Sequence, residues 1–433
     1  NGATLKAKGD VDVSAKAERN LSVEVENSSG DGTLGLAVGV IQSETKATAD
    51  VQGKVYADGK VSVHAENTVT DEGGKYDPDT LHITSESESD DGTSSDPIHD
   101  IVDVATTKGK GNQLMAGIKK LWGDQSTEKK AADAGTAAAD QTAATSVGGG
   151  LGLNAATAFL FSDNSAKASL SGEVRGYDEA SGAGAVDVHA ETLSRTKVKA
   201  GVSQGADKSA GIAAAVNYVD QNDKAEAELS GDIKSKGDVK VSAETKRPWQ
   251  SNLEGFGENL KDDLATIFDP NNGFELSYLT DSWTQTGGAG EKVSGAAALN
   301  IMEYNHTAKA TVKENTKVEI ENGDLDVSAK NNIHTVNFSG DIKAPIGDQP
   351  GSLDFWKDIG GSPFSGGGKA ALGGAALTVH QKNTAEATVE DGVMVTKAKD
   401  VSVTAENKGS NLSIAAAGGK GQTVAIDGTV NVN

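Results

Sequence analysis

Ala47-Thr48-Ala49-Asp50-Val51, with Val61-Ser62-Val63-His64-Ala65 beginning fourteen residues after its first residue, decides how this chain folds. The pair returns as Ala225-Glu226-Ala227-Glu228-Leu229 with Val239-Lys240-Val241-Ser242-Ala243. It returns again as Ala385-Glu386-Ala387-Thr388-Val389 with Val401-Ser402-Val403-Thr404-Ala405. Each half alternates apolar and polar residues, which sends one set of side chains to a buried face and the other to solvent, as in a half-buried strand. Self-similarity at this spacing points to stacked repeats rather than a single globular core.

Working outward, five copies align on Ala47, Ala166, Ala225, Ala308 and Ala385. Two residues on, each has Ala again, and two further on each has Val or Leu. Six residues before the anchor each is apolar (Ile41, Leu160, Val219, Met302, Val379), and ten before it each is Ala. The second motif begins at Val11, Val61, Val186, Val239, Leu325 and Val401, trailing the anchor by 14 to 20 residues where both are present. Asp58-Gly59-Lys60 and Lys236-Gly237-Asp238 lie between the two halves and supply turn chemistry.

A unit of about fifty residues thus reads as about four short strands separated by turns. No helical pattern of crossover length lies inside the units, which argues against a wound α/β sheet. The expected fold is all-β: a parallel β-helix (β-solenoid) of about two coils per unit, right-handed by the general preference of parallel crossovers. Its interior is narrow, because Ala columns let opposite walls approach. About twelve coils, and a rod of about 55–60 Å, follow from this reading.

Residues 1–433 are expected to form one continuous body, interrupted by lateral insertions at about 70–146, 246–290 and 340–368. All four Trp and all seven Pro fall in these interruptions, and Pro is excluded from ladder interiors. Leu114, Met115, Ile118, Leu121 and Trp122 in the first, and Leu253, Leu260, Leu264 and Ile267 in the second, stand at helical spacing. Short helices lying against the wall are expected there.

The net charge of −23 disfavours nucleic acid and anionic membrane as partners, since both call for a basic surface. No apolar run approaches the length of a membrane span, so no membrane insertion is expected. Without cysteine there is no disulfide, thiol nucleophile or cysteine-bound metal.

Little else carries chemistry. His64 and His189 hold matching polar positions of the second motif and are expected to point outward, with no His or Asp at ligand spacing nearby. The acidic run from Glu86 to Asp96 invites a calcium reading. However, Gly92 lacks the required residues before it and position 98 is Ile, so a solvated loop is the better account. Gly148-Gly149-Gly150 and Gly366-Gly367-Gly368 read as hinges, because neither opens a phosphate-binding loop. A polysaccharide lyase needs a basic group beside an acidic sugar, whereas Arg19, Arg175, Arg195 and Arg247 are neither repeated nor clustered. No catalytic, cofactor-binding or metal-binding residue is assigned.

The unit Gly211-Ile212-Ala213-Ala214-Ala215-Val216-Asn217-Tyr218-Val219, then 225–229, then 237–245, resembles the passenger repeats of giant bacterial surface proteins. These are the leukotoxin-type filamentous adhesins, broadly similar to the filamentous-haemagglutinin class. The resemblance covers about two thirds of the chain. It implies export to the cell surface or medium, a long β-helical stalk, and adhesion or cell-to-cell contact, with no catalytic residue to carry over. The expected function is therefore that of a structural and adhesive segment of an extracellular bacterial filament or surface stalk. Its partners would be host-cell, cell–cell or glycan ligands at the insertions. The competing reading is a carbohydrate-active enzyme or sugar-binding module, whose sign would be a groove lined by aromatics and carboxylates. Strand-like sequence at both ends, around Val11 and Val430, sets the further expectation of end-to-end contacts with more of the same chain or another subunit.

Overall fold

The computed structural model describes residues 3–29, 34–70, 151–204, 210–248, 281–289, 292–340, 365–366, 369–420 and 422–432. Among them every helical or extended element is a β-strand. Sheet A has nine strands: β1 (Ala3–Ala7), β4 (Leu34–Ala57), β6 (Leu151–Arg175), β9 (Ala210–Ser235), β12 (Val293–Val312), β13 (Lys317–Ile320), β16 (Ala370–Val389), β17 (Met394–Thr396) and β20 (Val424–Val432). Sheet B has eleven: β2 (Val11–Asn20), β3 (Ser22–Ser29), β5 (Lys60–Thr70), β7 (Ala185–Ser194), β8 (Lys197–Gln204), β10 (Val239–Arg247), β11 (Ser282–Ala289), β14 (Leu325–Ser339), β15 (Ser365–Gly366), β18 (Val401–Ala415) and β19 (Gly419–Lys420). The ladders of both sheets are parallel.

Register follows the sequence phase. The anchor alanines pair directly, Ala47 with Ala166, Ala166 with Ala225, Ala225 with Ala308 and Ala308 with Ala385. The second motif pairs likewise from Val11 through Val61, Val186, Val239 and Leu325 to Val401. Successive layers are therefore identical in phase, and each buries the face its neighbour buries.

This registration corrects the expectation of two coils per unit. The apolar registers from ten before the anchor to four after it lie on one uninterrupted strand of 20 to 26 residues, with no turn inside it. The second motif then belongs to the opposite sheet of the same layer. Six strands stack in the Val-x-Val-x-Ala column (β2, β5, β7, β10, β14, β18). Five steps of about 4.8 Å make this stack roughly 24 Å high, less than half the expected rod.

The sheets face one another across a core drawn from both. Ala49, Ala168, Ala227 and Ala310 form one inward column against Val63, Val188, Val241 and Val327 of sheet B, with Ala387 partly buried on the last layer. Two parallel sheets joined by a chain that passes from one to the other are compatible with a parallel β-helix. Ala227 is fully buried between Ala168 and Ala310. Ala227→Leu is expected to overpack this column and cost about 1–3 kcal/mol in urea unfolding. An unchanged midpoint would mean that the walls have room that the Ala column denies.

The interruptions need redrawing. Residues 282–289, expected inside an insertion, are strand β11, which pairs with β8 and β14. Trp283 is thus a strand residue, packed with Val336 and Phe338 at a ring-centroid distance of 6.3 Å to the latter. Residues 246 and 247 close β10, and Ser365–Gly366 pairs with β11. The short helices expected at 114–122 and 253–267, the acidic run at 86–96, and Gly148-Gly149-Gly150 lie outside the described residues.

Candidate functional site

The interior is apolar at both ends of each layer and polar in the middle. One apolar cluster holds the Ala-x-Ala half, and the other holds Ala156, Leu160, Ala215, Val219 and Met302. Between them, positions two and four before each anchor also point inward, because the strand alternates without a break. These positions are Thr45 and Ser43, Asn164 and Ser162, Asp223 and Gln221, His306 and Tyr304, then Asn383 and Gln381. Facing them from sheet B stand Asn67, Thr192, Ser194, Thr245, Arg247 and Asn331, all buried.

Its charged centre joins three layers. Arg247, fully buried, donates from Nη2 (2.7 Å) and Nε (3.1 Å) to Asp281 Oδ1, and from Nη1 to Gln221 Oε1 at 2.7 Å. The other oxygen of Asp281 accepts the Val336 amide at 2.7 Å. The guanidinium lies 4.7 Å from the centre of the Tyr304 ring, a cation–π distance. Tyr304 in turn stacks on His306 at 6.2 Å. His306 Nδ1 is 2.9 Å from Asp223 Oδ2, an ion-pair distance, and that oxygen accepts from Ser194 Oγ (2.6 Å) and Gln221 Nε2 (3.0 Å). Asn164 Nδ2 donates to Asp223 Oδ1 at 2.7 Å.

The electrostatics follow from burial against partners. Burial pushes the Asp223 carboxyl upward, but His306, Ser194 and Asn164 outweigh it and hold the group below its ordinary value. Burial first, then Asp281 and Asp223, drive the Tyr304 phenol well above its usual range, with Arg247 opposing. Burial disfavours the charged Arg247, and Asp281 leads the groups that restore it. The result is a buried network that links neighbouring layers through hydrogen bonds and ion pairs. Chemically it can hold three layers in register and exclude alternative pairings.

Asp223 also sets a pH dependence. Its folded pKa lies below the unfolded one, so its contribution is complete above about pH 4 and is lost as pH falls through the folded value. Asp223→Asn is expected to lower stability at pH 7 and to flatten the acid limb of the stability–pH curve. The flattening corresponds to as much as one proton, about 1.4 kcal/mol per pH unit. Superimposable acid limbs for the two proteins would refute this role.

On the outside, His64 and His189 are half-exposed and point outward as expected, but they are not isolated. Layer stacking pairs them in register with ring centroids 5.8 Å apart. His64 Nε2 is 3.3 Å from Asp187 Oδ2, which also holds Lys60 Nζ at 2.7 Å. His189 lies 2.8 Å from Ser242 Oγ and 3.4 Å from Glu191 Oε2. Among the described residues no group of three or more His, Asp or Glu side chains is placed to hold a metal ion.

The outer wall of sheet A divides lengthwise. Beyond the anchor it carries ion pairs between layers, such as Lys167–Glu228 (2.7 Å), Lys313–Glu228 (3.1 Å) and Lys309–Glu386 (3.2 Å). From seven residues before the anchor and further back the outward columns are largely apolar, for example Val40, Phe159, Tyr218 and Ile301 in one register. Phe161 and Tyr218 lie 5.7 Å apart on this face, with the charges of Glu303 and Asp220 acting on Tyr218. Burial first, then Glu303 and Asp220, push the Tyr218 phenol up to about 12.

Sequence reasoning missed the buried charges. Arg247 is unclustered along the sequence, yet stacking brings it to Asp281, 34 residues away. The signal was present in the phase: with the positions six before the anchor and at the anchor both inward, those between them at even spacing must also be inward. Set against protein-family models, curated proteins and solved structures, the chain matches none.

Proposed function

We propose that this chain is a structural, contact-making segment of an extracellular bacterial filament or surface stalk, acting as a spacer without catalysis. In this reading the two sheets are the walls of a closed, right-handed parallel β-solenoid, of the kind found in the filamentous adhesin repeats it resembles. The observation that carries the proposal is the unbroken phase of the stack. The same inward columns repeat from β2 to β18, and the charged residues at the centre serve the stacking. A body built by repetition in one direction is suited to span distance. Glycan or cell-surface contacts are assigned to the insertions expected at about 70–146, 246–290 and 340–368, apart from the strand residues 246–247, 282–289 and 365–366.

Incubation with acidic and neutral polysaccharides is the test. No cleavage is expected. Turnover that disappears on replacing one carboxylate near Phe161 and Tyr218, such as Asp220 or Glu303, would overturn the spacer reading in favour of a carbohydrate-active enzyme.

A further inference from the structure

The outer wall of sheet B carries an apolar cluster that is buried although it faces away from the core. In β14 the inward side chains fall at odd positions, from Leu325 through Ile333 to Ser339, so Val336 and Phe338 point outward. Trp283 shares their face because it pairs with Phe338, and Lys199 pairs with Trp283 in turn. Yet Trp283, Val336 and Phe338 are only 6 %, 6 % and 7 % exposed, and Lys199 is 5 % exposed. Phe159 and Tyr218, large outward side chains on inner layers of sheet A, remain half-buried. Among the described residues, Ile414, which pairs with Phe338, and Ala416 pack against the cluster from the next layer. A single wall does not take a Trp and a Phe this far out of water, so a second layer lies over it.

We propose that this chain's own residues 249–280 are the cover, with Leu253, Leu260, Leu264 and Ile267 set against Trp283, Val336 and Phe338. Both ends of the segment are rooted in the cluster's own wall. Arg247 and Ser282 pair with Ile333 and Asn337 of β14, so the chain leaves and returns across the width of residues 334–336, about 10 Å. Val336 stands in that gap. Its amide donates to Asp281 Oδ2 at 2.7 Å and its carbonyl accepts from the Asp281 amide at 2.8 Å, where the segment ends. A segment closed over so short a gap meets the cluster at high effective concentration. Charge agrees with this placement. Residues 249–280 carry Glu254, Glu258, Asp262, Asp263, Asp269 and Glu275 against Lys261 alone. The wall offers Lys199 in the cluster's column and Lys197 two residues before it, and a lysine as deep as Lys199 stands against an opposite charge. The insertion at 341–364 is a poorer fit: it returns at Ser365 beside Gly288, five residues along β11 from Trp283.

The chain has no cysteine, so one introduced thiol reports on this face. In the full chain, Val336→Cys should react slowly with Ellman's reagent. Adding Leu260→Asp with Leu264→Asp should speed the reaction about tenfold while circular dichroism shows the strands intact. Leu353→Asp with Ile359→Asp, the equivalent change in 341–364, should leave it slow. A short bis-maleimide should join Val336→Cys to Leu264→Cys within one chain. If Val336→Cys loses the fold, Trp283 emission in a Trp122→Phe, Trp249→Phe, Trp356→Phe background replaces it, and should shift to the red only when Leu260 and Leu264 are changed. A thiol that reacts freely without those changes, or stays slow with them, would overturn the proposal. So would protection lost through Leu353→Asp with Ile359→Asp alone, which would make 341–364 the cover. Cross-links forming between chains would overturn it in favour of a second copy. The polysaccharide assay decides the spacer reading separately, so either idea can fail alone.

Discussion

Arg247→Met is expected to destabilise the protein by about 3–5 kcal/mol, because it leaves Asp281 charged, buried and without its guanidinium partner. The side chain is fully buried and bonds to groups from three other strands or turns, so no neighbour can relax toward water. Most of this loss comes from orphaning Asp281 rather than from the worth of the pair. The double variant Arg247→Met/Asp281→Asn, which keeps an acceptor for the Val336 amide, should therefore be considerably more stable than Arg247→Met alone. Urea midpoints at constant m-value measure both. A single variant as stable as the parent would show that the charged centre contributes nothing to holding the layers.

Gly172→Val should cost about 3 kcal/mol, for two reasons that act together. Gly53, Gly172 and Gly231 stack in register with φ of 123°, 126° and 108°, a region that only glycine occupies readily. A Cβ at Gly172 would also run into the carbonyl oxygen of Gly53 in the neighbouring layer, a backbone atom that cannot step aside without breaking the ladder. Thermal unfolding should show the shift, and Ser171→Ala next to it should not. Equal melting of Gly172→Val and the parent would mean that the layers part at this bend.

These two sites differ in how far they could be foreseen. The glycine column is visible as Gln-Gly, Ser-Gly and Ser-Gly two residues after the aliphatic end of the first three copies, although its positive φ is a property of the bend between strand segments. Arg247 is not visible at all as a partner of Asp281, because an interruption of the repeat separates them in sequence.

The phase of the repeat is legible from the residues alone. An alternation of period two, repeated at the same registers, leaves only one face of each strand able to be buried. Parallel stacking of like on like is then the arrangement that buries all copies at once. Ala at the anchor and two residues on, Val at the second motif, and outward His64 and His189 all follow from that alone. The number of layers per repeat did not, because a long strand and two short ones share the same alternation, and only the ladders show that residues 210–235 run without a turn. Nor did the charged centre: Asp223, His306, Tyr304 and Arg247 meet only when adjacent layers are superimposed. The energetics of a buried charge depend on neighbours across the ladder and the facing sheet, which no single stretch of chain contains.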